Sequence, residues 1–304
     1  MTSTMYDTVI LEYEGRYGRG RTIDDIVGWV ESIPPLPEVA NKALKLIDDP
    51  DSTPHEIAAL LTRDPGLVSA VMRAANSASL GRSEAVNTVE EAVLVVGLGA
   101  LKSLLLGLTL KRWNKNFGEL EKLVWEKSLG TAASAFVLAT FFGKRYQETA
   151  RLCGLLHNLG QIVMLSIPDV RKDYPKVLTH IHEHQVEFDE AERHVIGFSH
   201  SLVGAMVARK WQMPMSICTT ILNYTQPFDG IANTQDEQTA LTKLSAALSM
   251  CAGLGCPPGH PLACEALYPL ATALGFKEKD FSGYRSALAK QALALYTTES
   301  NTFN

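Results

Sequence analysis

The sequence has no block of like charge and no basic excess. Lys and Arg number 28 against 33 Asp and Glu, a formal net charge of −5 over 304 residues. A polyanion finds no general footing on such a chain, so nucleic acid is not an expected partner. The densest basic stretch, KRWNKNFG at 111–118, reads as a solvated linker. Only five cysteines occur, Cys153, Cys218, Cys251, Cys256 and Cys264. An odd number in a chain this long does not suggest a disulfide framework. Proline and glycine stand at ordinary levels, which excludes fibrous and disordered classes. The opening MTSTMYDTVI has an acid and no basic segment, so no signal peptide is predicted and the cytoplasm is the expected compartment. There is no internal repeat and almost no convincing strand. VILEYEG near the start alternates weakly and reads as a short strand or as an arm that orders on a partner. The glycines of GRYGRG at 15–20 lack the spacing of a dinucleotide fingerprint.

One long hydrophobic run stands out, from Ala92 to Leu110, with Lys102 its only charge. Its length is near a membrane span, but a central lysine costs about 2.5–3.5 kcal/mol on insertion scales. A capping signal at Thr88 and a break at Gly97 and Gly99 predict two consecutive core helices and no membrane insertion.

What is present reads as helix. IPPLPEVANKALKLIDDP offers Val39, Ala43, Leu44, Leu46 and Ile47 to one broad face. Thr53-Pro54-His55-Glu56 is a capping box with proline at the first helical position. Asp64-Pro65 opens another helix, and Thr88 to Glu91 forms a second capping box. Asn76 is expected to cap or turn the chain. Trp113, Trp125 and Trp211 are expected to anchor contacts between subdomains. After a charged connection at 111–121 comes a long helix with a small-residue face of Ala132, Ala135 and Ala139. ARLCGLLHNLGQIVML is apolar nearly all round and predicts a central helix. Residues 176–194 form a charged helix or pair of helices, Ser199 to Trp211 an amphipathic one, and 216–224 the next. Thr234 and Glu237 open a helix through Leu248, and 256–304 reads as short helices. The predicted fold class is all-α.

His157 and Asn158 lie within the apolar LLHNLG. Buried polar groups need hydrogen-bond partners or a function. A histidine beside an aspartate on a helix suits a di-metal site, where the metal lowers a water's pKa and clamps a phosphate oxygen. An amide such as Asn158 carries no charge and bridges metals poorly.

The chain resembles the HDOD family, a branch of the HD superfamily of metal-dependent phosphohydrolases. The likeness runs through IPPLPEVANKAL at 33–44, LLTRDPGLVSAVMRAANSAS at 60–79 and VNTVEEAVLVVGLGALKSLLLGL at 86–108. It continues through VWEKSLGTA at 124–132, LCGLLHNLGQIVM at 152–164 and HSLVGAMVARKWQMP at 200–214. It implies a two-lobed helical fold: an arm at 1–22, an N-terminal lobe at 23–110, an HD-like lobe at 122–250 and a helical extension at 251–304. It also implies that the first metal histidine of HD enzymes is replaced near Lys127. The name-motif histidine is kept as His157, and its aspartate becomes Asn158. The later histidine is kept as His200. A His-His pair is replaced by Asn223 and Tyr224, and the final aspartate falls near Ser245 and Ala246, where no acid stands.

The candidate site is therefore Lys127, His157, Asn158, His200, Asn223 and Tyr224. No metal or other cofactor is expected, His157 and His200 being the remaining metal candidates. Lys127 replaces the lost metal charge and is a candidate anion contact. The resemblance implies a non-catalytic bacterial signalling module that binds a protein partner or a small phosphate-containing ligand. Two alternatives stay open. One is a metal-dependent phosphohydrolase or cyclic-dinucleotide phosphodiesterase; the other is a nucleotide or anion sensor that binds without hydrolysis.

Two further clusters read as ordinary. His180, His182, His184 and His194 form a solvated face that titrates near neutrality, with a surface metal clip as the alternative. Cys251, Cys256, His260 and Cys264 lack structural-zinc spacing and read as buried thiols with their following loop.

Overall fold

The computed structural model describes residues 22–77, 85–113, 118–143, 146–228, 230–256 and 267–303. The strand or arm expected within residues 1–21, and His260 and Cys264, lie outside the described residues. Among the described residues every regular element is a helix and none is a strand. In chain order the first are α1 (Ile23–Ser32), α2 (Glu38–Asp48), α3 (Pro54–Leu61), α4 (Pro65–Ala75), α5 (Val89–Val96) and α6 (Leu98–Trp113). Then come α7 (Glu119–Phe141), α8 (Gln147–Leu156), α9 (Leu159–Ser166), α10 (Pro168–Arg171), α11 (Tyr174–His184) and α12 (Phe188–Val195). The last are α13 (His200–Lys210), α14 (Met215–Asn223), α15 (Thr234–Cys251), α16 (Leu267–Ala273) and α17 (Glu278–Phe303). The chain divides into two compact units, Met1–Pro35 with Asn116–Ala292, and Leu36–Lys115 with Leu293–Asn304.

The smaller unit is built on local signals. Thr53 and Glu56 form the reciprocal capping box of α3, with Pro54 at its first turn. Asp64 caps α4 through Gly66 and Leu67 and also takes a two-pronged hydrogen bond from Arg112. Thr88 caps α5 through the Glu91 amide. Gly97 at φ +78° then turns the chain, so that α5 and α6 meet at 106°. The hydrophobic run is thus broken, and Lys102 reaches back to both oxygens of Asp48 at 2.7 Å. Asn76 accepts from the Val86 amide and donates to its carbonyl. Among the described residues no single helix is long and apolar enough to cross a membrane; two bent pairs reach that length only together.

The larger unit centres on α7, whose residues from Val124 to Ala135 are buried throughout, Glu126 apart. It packs against α8 and α15, while α9 packs on α13, and α13 on α14. Leu138, Leu241, Leu244, Leu248, Phe276 and Phe281 belong to one core cluster. Two glycines set the close crossings. A Cβ on Gly154 of α8 would stand 2.7 Å from the Thr131 carbonyl of α7. One on Gly160 of α9 would overlap the His200 carbonyl of α13. The chain from Gly154 to Gly160 is thereby wedged between backbones, and His157 and Asn158 lie in its middle.

Several local expectations are corrected. The apolar segment around LLHNLG is not one helix: α8 ends at Leu156 and α9 begins at Leu159, with Asn158 in the bridge region at φ −95°, ψ 10°. The α13 helix is not amphipathic, being buried from His200 to Ala208 because α9 and α14 both cover it. The N-cap of α15 is Asn233, whose side chain accepts from the Asp236 amide, rather than Thr234. The tail includes the 26-residue α17 rather than short helices alone.

Candidate functional site

The α8–α9 break points two consecutive polar side chains into the larger unit. His157 and Asn158 are both fully buried. The Nδ1 of His157 lies 2.6 Å from the Gly154 carbonyl, which can only accept, so Nδ1 carries the proton. Its Nε2 is left as a lone pair with no hydrogen-bond partner among the described residues. Burial, with Lys127 adding to it, holds this imidazole well below its ordinary pKa, so the ring is neutral.

Facing it, His200 opens α13. Its backbone N–H and its Nδ1 both reach Glu192 Oε2, at 2.8 and 2.5 Å. Glu192 projects from α12 and is fully buried. Its other oxygen accepts from Gln161 at 3.0 Å and from the Tyr174 hydroxyl at 3.1 Å. Burial pushes the Glu192 carboxyl up, but the charge and hydrogen bonds of His200 and the Gln161 amide outweigh it and leave the carboxyl below its ordinary pKa. Four donors on one carboxylate hold α12, α13, α9 and α11 in register.

Tyr224 follows α14 and closes the space between the histidines. Its hydroxyl lies 2.5 Å from His200 Nε2 and 3.4 Å from Asn158 Oδ1. Its ring meets His157 edge to face, with centroids 5.0 Å apart. Burial and then Glu192 hold this phenol well above its ordinary pKa, so it keeps its proton. Either partner can donate across the His200 Nε2–Tyr224 contact; where the ring nitrogen donates, the hydroxyl proton is directed to Asn158 Oδ1.

Lys127 of α7 is 4% exposed, with its amine over the Phe188 ring at 5.1 Å. Burial lowers its pKa, opposed by Glu187 and Glu192. The acid one helical stretch before it, Glu121, pairs with Arg171 at 2.6 Å. Lys127, His200, Tyr224, Lys243 and Met250 help line a cavity of about 180 Å³.

The donors do not suit the metal of an HD enzyme. A carboxylate on Nδ1 is the arrangement that orients a metal-binding imidazole, and His200 has it. The nitrogen that would face the metal is instead taken by the Tyr224 hydroxyl. His157 Nε2 has a lone pair to give, but Asn158 brings no charge. Both Glu192 oxygens are filled, and Lys127 adds a positive charge within electrostatic reach of His157. No group of three or more His, Cys, Asp or Glu among the described residues is arranged to hold a metal.

Of the candidate residues, the structure brings His157, Asn158, His200 and Tyr224 together, with Lys127 beside them. Asn223 is corrected: it lines a different cleft with Gln226, Phe228, Gln235 and Asp236. One residue along a helix rotates a side chain by about 100°, so it cannot share the position of Tyr224. Glu192, Gln161 and Tyr174 escaped sequence reasoning, although the hydrophobic phase of FDEAERHV sets Phe188, Ala191 and Glu192 on one buried face. His180 lies 4.2 Å, centroid to centroid, from both His184 and His194 on the surface of α11 and α12. Cys153, Cys218 and Cys256 are thiols, whereas Cys251 is disulfide-bonded, which removes it from the zinc candidates.

Comparison with known proteins adds to this geometry. The sequence model of the HDOD domain matches residues 33–227. An uncharacterized protein of Treponema pallidum (strain Nichols) is 30% identical over 198 residues, 63% of this chain and 37% of that protein. The chain thus spans little more than a third of that relative's length. Among solved structures, an HDOD domain protein of unknown function from Geobacter sulfurreducens matches with a TM-score of 0.71 at 23% identity, over 90% of this chain and 98% of its own. A protein of Shewanella amazonensis SB2B provisionally named a phosphohydrolase matches with a TM-score of 0.67 at 20% identity, over 90% and 97%. One of Marinobacter aquaeolei VT8 provisionally named a signal transduction protein matches with a TM-score of 0.68 at 21% identity, over 98% and 66%. At these identities the likeness is one of fold.

Proposed function

The chain belongs to the HDOD domain family, and from that premise we propose that it is a non-catalytic bacterial signalling module, acting through a partner or small ligand bound at a closed metal site. One observation carries the reading. The Tyr224 hydroxyl sits 2.5 Å from His200 Nε2, the position that a metal ion takes in a carboxylate–histidine–metal arrangement. The hydroxyl satisfies the nitrogen by a hydrogen bond, and Lys127 supplies the positive charge. Glu192, which would orient a ligand histidine, here locks four helices together.

A metal-dependent phosphohydrolase is the competing reading. It is favoured by the bare Nε2 of His157 and by the Glu192–His200 pair, but requires Tyr224 to withdraw. The test is elemental analysis of untagged protein together with hydrolysis of bis(p-nitrophenyl) phosphate in added manganese. His157→Ala and His200→Ala serve as controls. The proposal expects neither stoichiometric metal nor turnover. Stoichiometric iron, manganese or zinc that both substitutions abolish, accompanied by hydrolysis, would overturn it.

A further inference from the structure

An ammonium group withdrawn from water is costly unless it is paired. Lys127 is withdrawn, yet among the described residues its amine makes no salt bridge and no hydrogen bond, only the contact with the Phe188 face. It lines the cavity of about 180 Å³, and a second lysine, Lys243 of α15, lines the same space. Lys243 is half-buried and donates to the Thr225 and Gln226 carbonyls. An ammonium has three protons to give, so it retains capacity toward the cavity.

Two acids also line the space. The Asp189 carboxylate is held by Arg193 and by the Ser201 hydroxyl. Glu187 is exposed, and its charge acts on both Lys127 and Lys243 from the rim of the space. Beside His200, Tyr224 and Thr225, the remaining wall is mostly apolar, with Ala246, Ala247, Met250, Leu267 and Leu270 on one side. The interior therefore presents cationic donors to one end of a guest and hydrocarbon to the rest.

We infer that this cavity binds a small organic anion, with one carboxylate or phosphate-monoester head against Lys127 and Lys243 and a short apolar body against α15 and α16. Size sets the class. The cavity measures about 180 Å³. Drug-sized ligands occupy pockets of roughly 300–1,000 Å³, and a cyclic dinucleotide belongs with those. The inference rests on the non-catalytic reading of the neighbouring histidines, since a bound acid would be held and not consumed.

Titration calorimetry of the full chain with butyrate, phenyl phosphate and, as the uncharged control, n-butanol tests it. One saturable site is expected for butyrate or phenyl phosphate and none for butanol; which acid binds identifies the head group. Lys127→Met keeps the length of the side chain and removes its charge. It is expected to weaken binding by at least about tenfold while raising the unfolding temperature, because an unpaired buried charge is replaced by an apolar group. Lys243→Met is expected to weaken binding without that gain. No saturable site for either acid, undiminished affinity in Lys127→Met, or a fall in its unfolding temperature would overturn the inference. Any of these in metal-free, inactive protein leaves the non-catalytic reading standing. Turnover of phenyl phosphate would instead overturn that reading.

Discussion

Replacing Tyr224 by phenylalanine removes one oxygen and nothing else, so its effect follows from the contacts of that atom. The hydroxyl serves His200 Nε2 at 2.5 Å and stands 3.4 Å from Asn158 Oδ1, both in fully enclosed side chains. Without it, His200 Nε2 becomes a second nitrogen without a protein partner among the described residues, beside His157 Nε2. A buried acceptor left unsatisfied costs about 1–3 kcal/mol. The phenyl ring keeps its edge-to-face contact with His157, so no packing loss is added. For a unit of roughly 150–250 residues each kcal/mol moves the unfolding temperature by about 2–4 °C, so a fall of roughly 2–12 °C is expected. Scanning calorimetry of wild type and Tyr224→Phe measures it. Tyr224→Ala also empties the ring's place and is expected to cost more, about 3–5 kcal/mol. A neutral or stabilised Tyr224→Phe would refute the claim that the hydroxyl satisfies the old ligand nitrogen.

Glu192→Ala strips the acceptor from four buried donors and is expected to cost about 3–5 kcal/mol in urea unfolding, with Glu192→Gln milder because the amide oxygen still accepts. The folded-state pKa of His157 lies below its ordinary 6.5. Its contribution is therefore complete above about pH 6.5 and lost as pH falls, because the unfolded chain takes up a proton that the folded one refuses. The slope reaches about 1.4 kcal/mol per pH unit. His157→Phe is expected to flatten that slope below about pH 6.5, and an unchanged slope would mean that His157 already carries its proton when folded. Gly160→Ala drives a methyl into the His200 carbonyl and to 2.7 Å from the Gly204 nitrogen. It is expected to cost about 3 kcal/mol or more, whereas Gly28→Ala, which meets nothing within 4 Å in the middle of α1, is expected to gain about 0.5–1 kcal/mol. Equal unfolding temperatures for the two variants would contradict the close crossing of α9 and α13.

Capping chemistry is local, and for that reason the starts of α3, α4 and α5 are legible at Thr53, Asp64 and Thr88. The α8–α9 break is not. LCGLLHNLGQIVM contains no proline, and apolar residues flank His157 and Asn158 closely on both sides. What forces the turn is tertiary, the close backbone contacts at Gly154 and Gly160. Lys127, His157, Asn158, His200 and Tyr224 could be picked out because motif spacing carries them. Glu192 could not, since it lies among DEAERH, which reads as a solvated charged face. Its burial depends on Gln161, Tyr174 and His200 arriving from three other helices. Asn223 was grouped with Tyr224 because adjacency in sequence does not carry helical phase.

The central claim is that Tyr224 holds the place of a metal. It is tested most directly by anomalous diffraction at the manganese and zinc edges from crystals grown with each ion. The account requires no anomalous peak within coordination distance of His200 Nε2 or His157 Nε2, and the Tyr224 hydroxyl in density on His200. A peak bonded to both nitrogens, with the phenol swung aside, would contradict it.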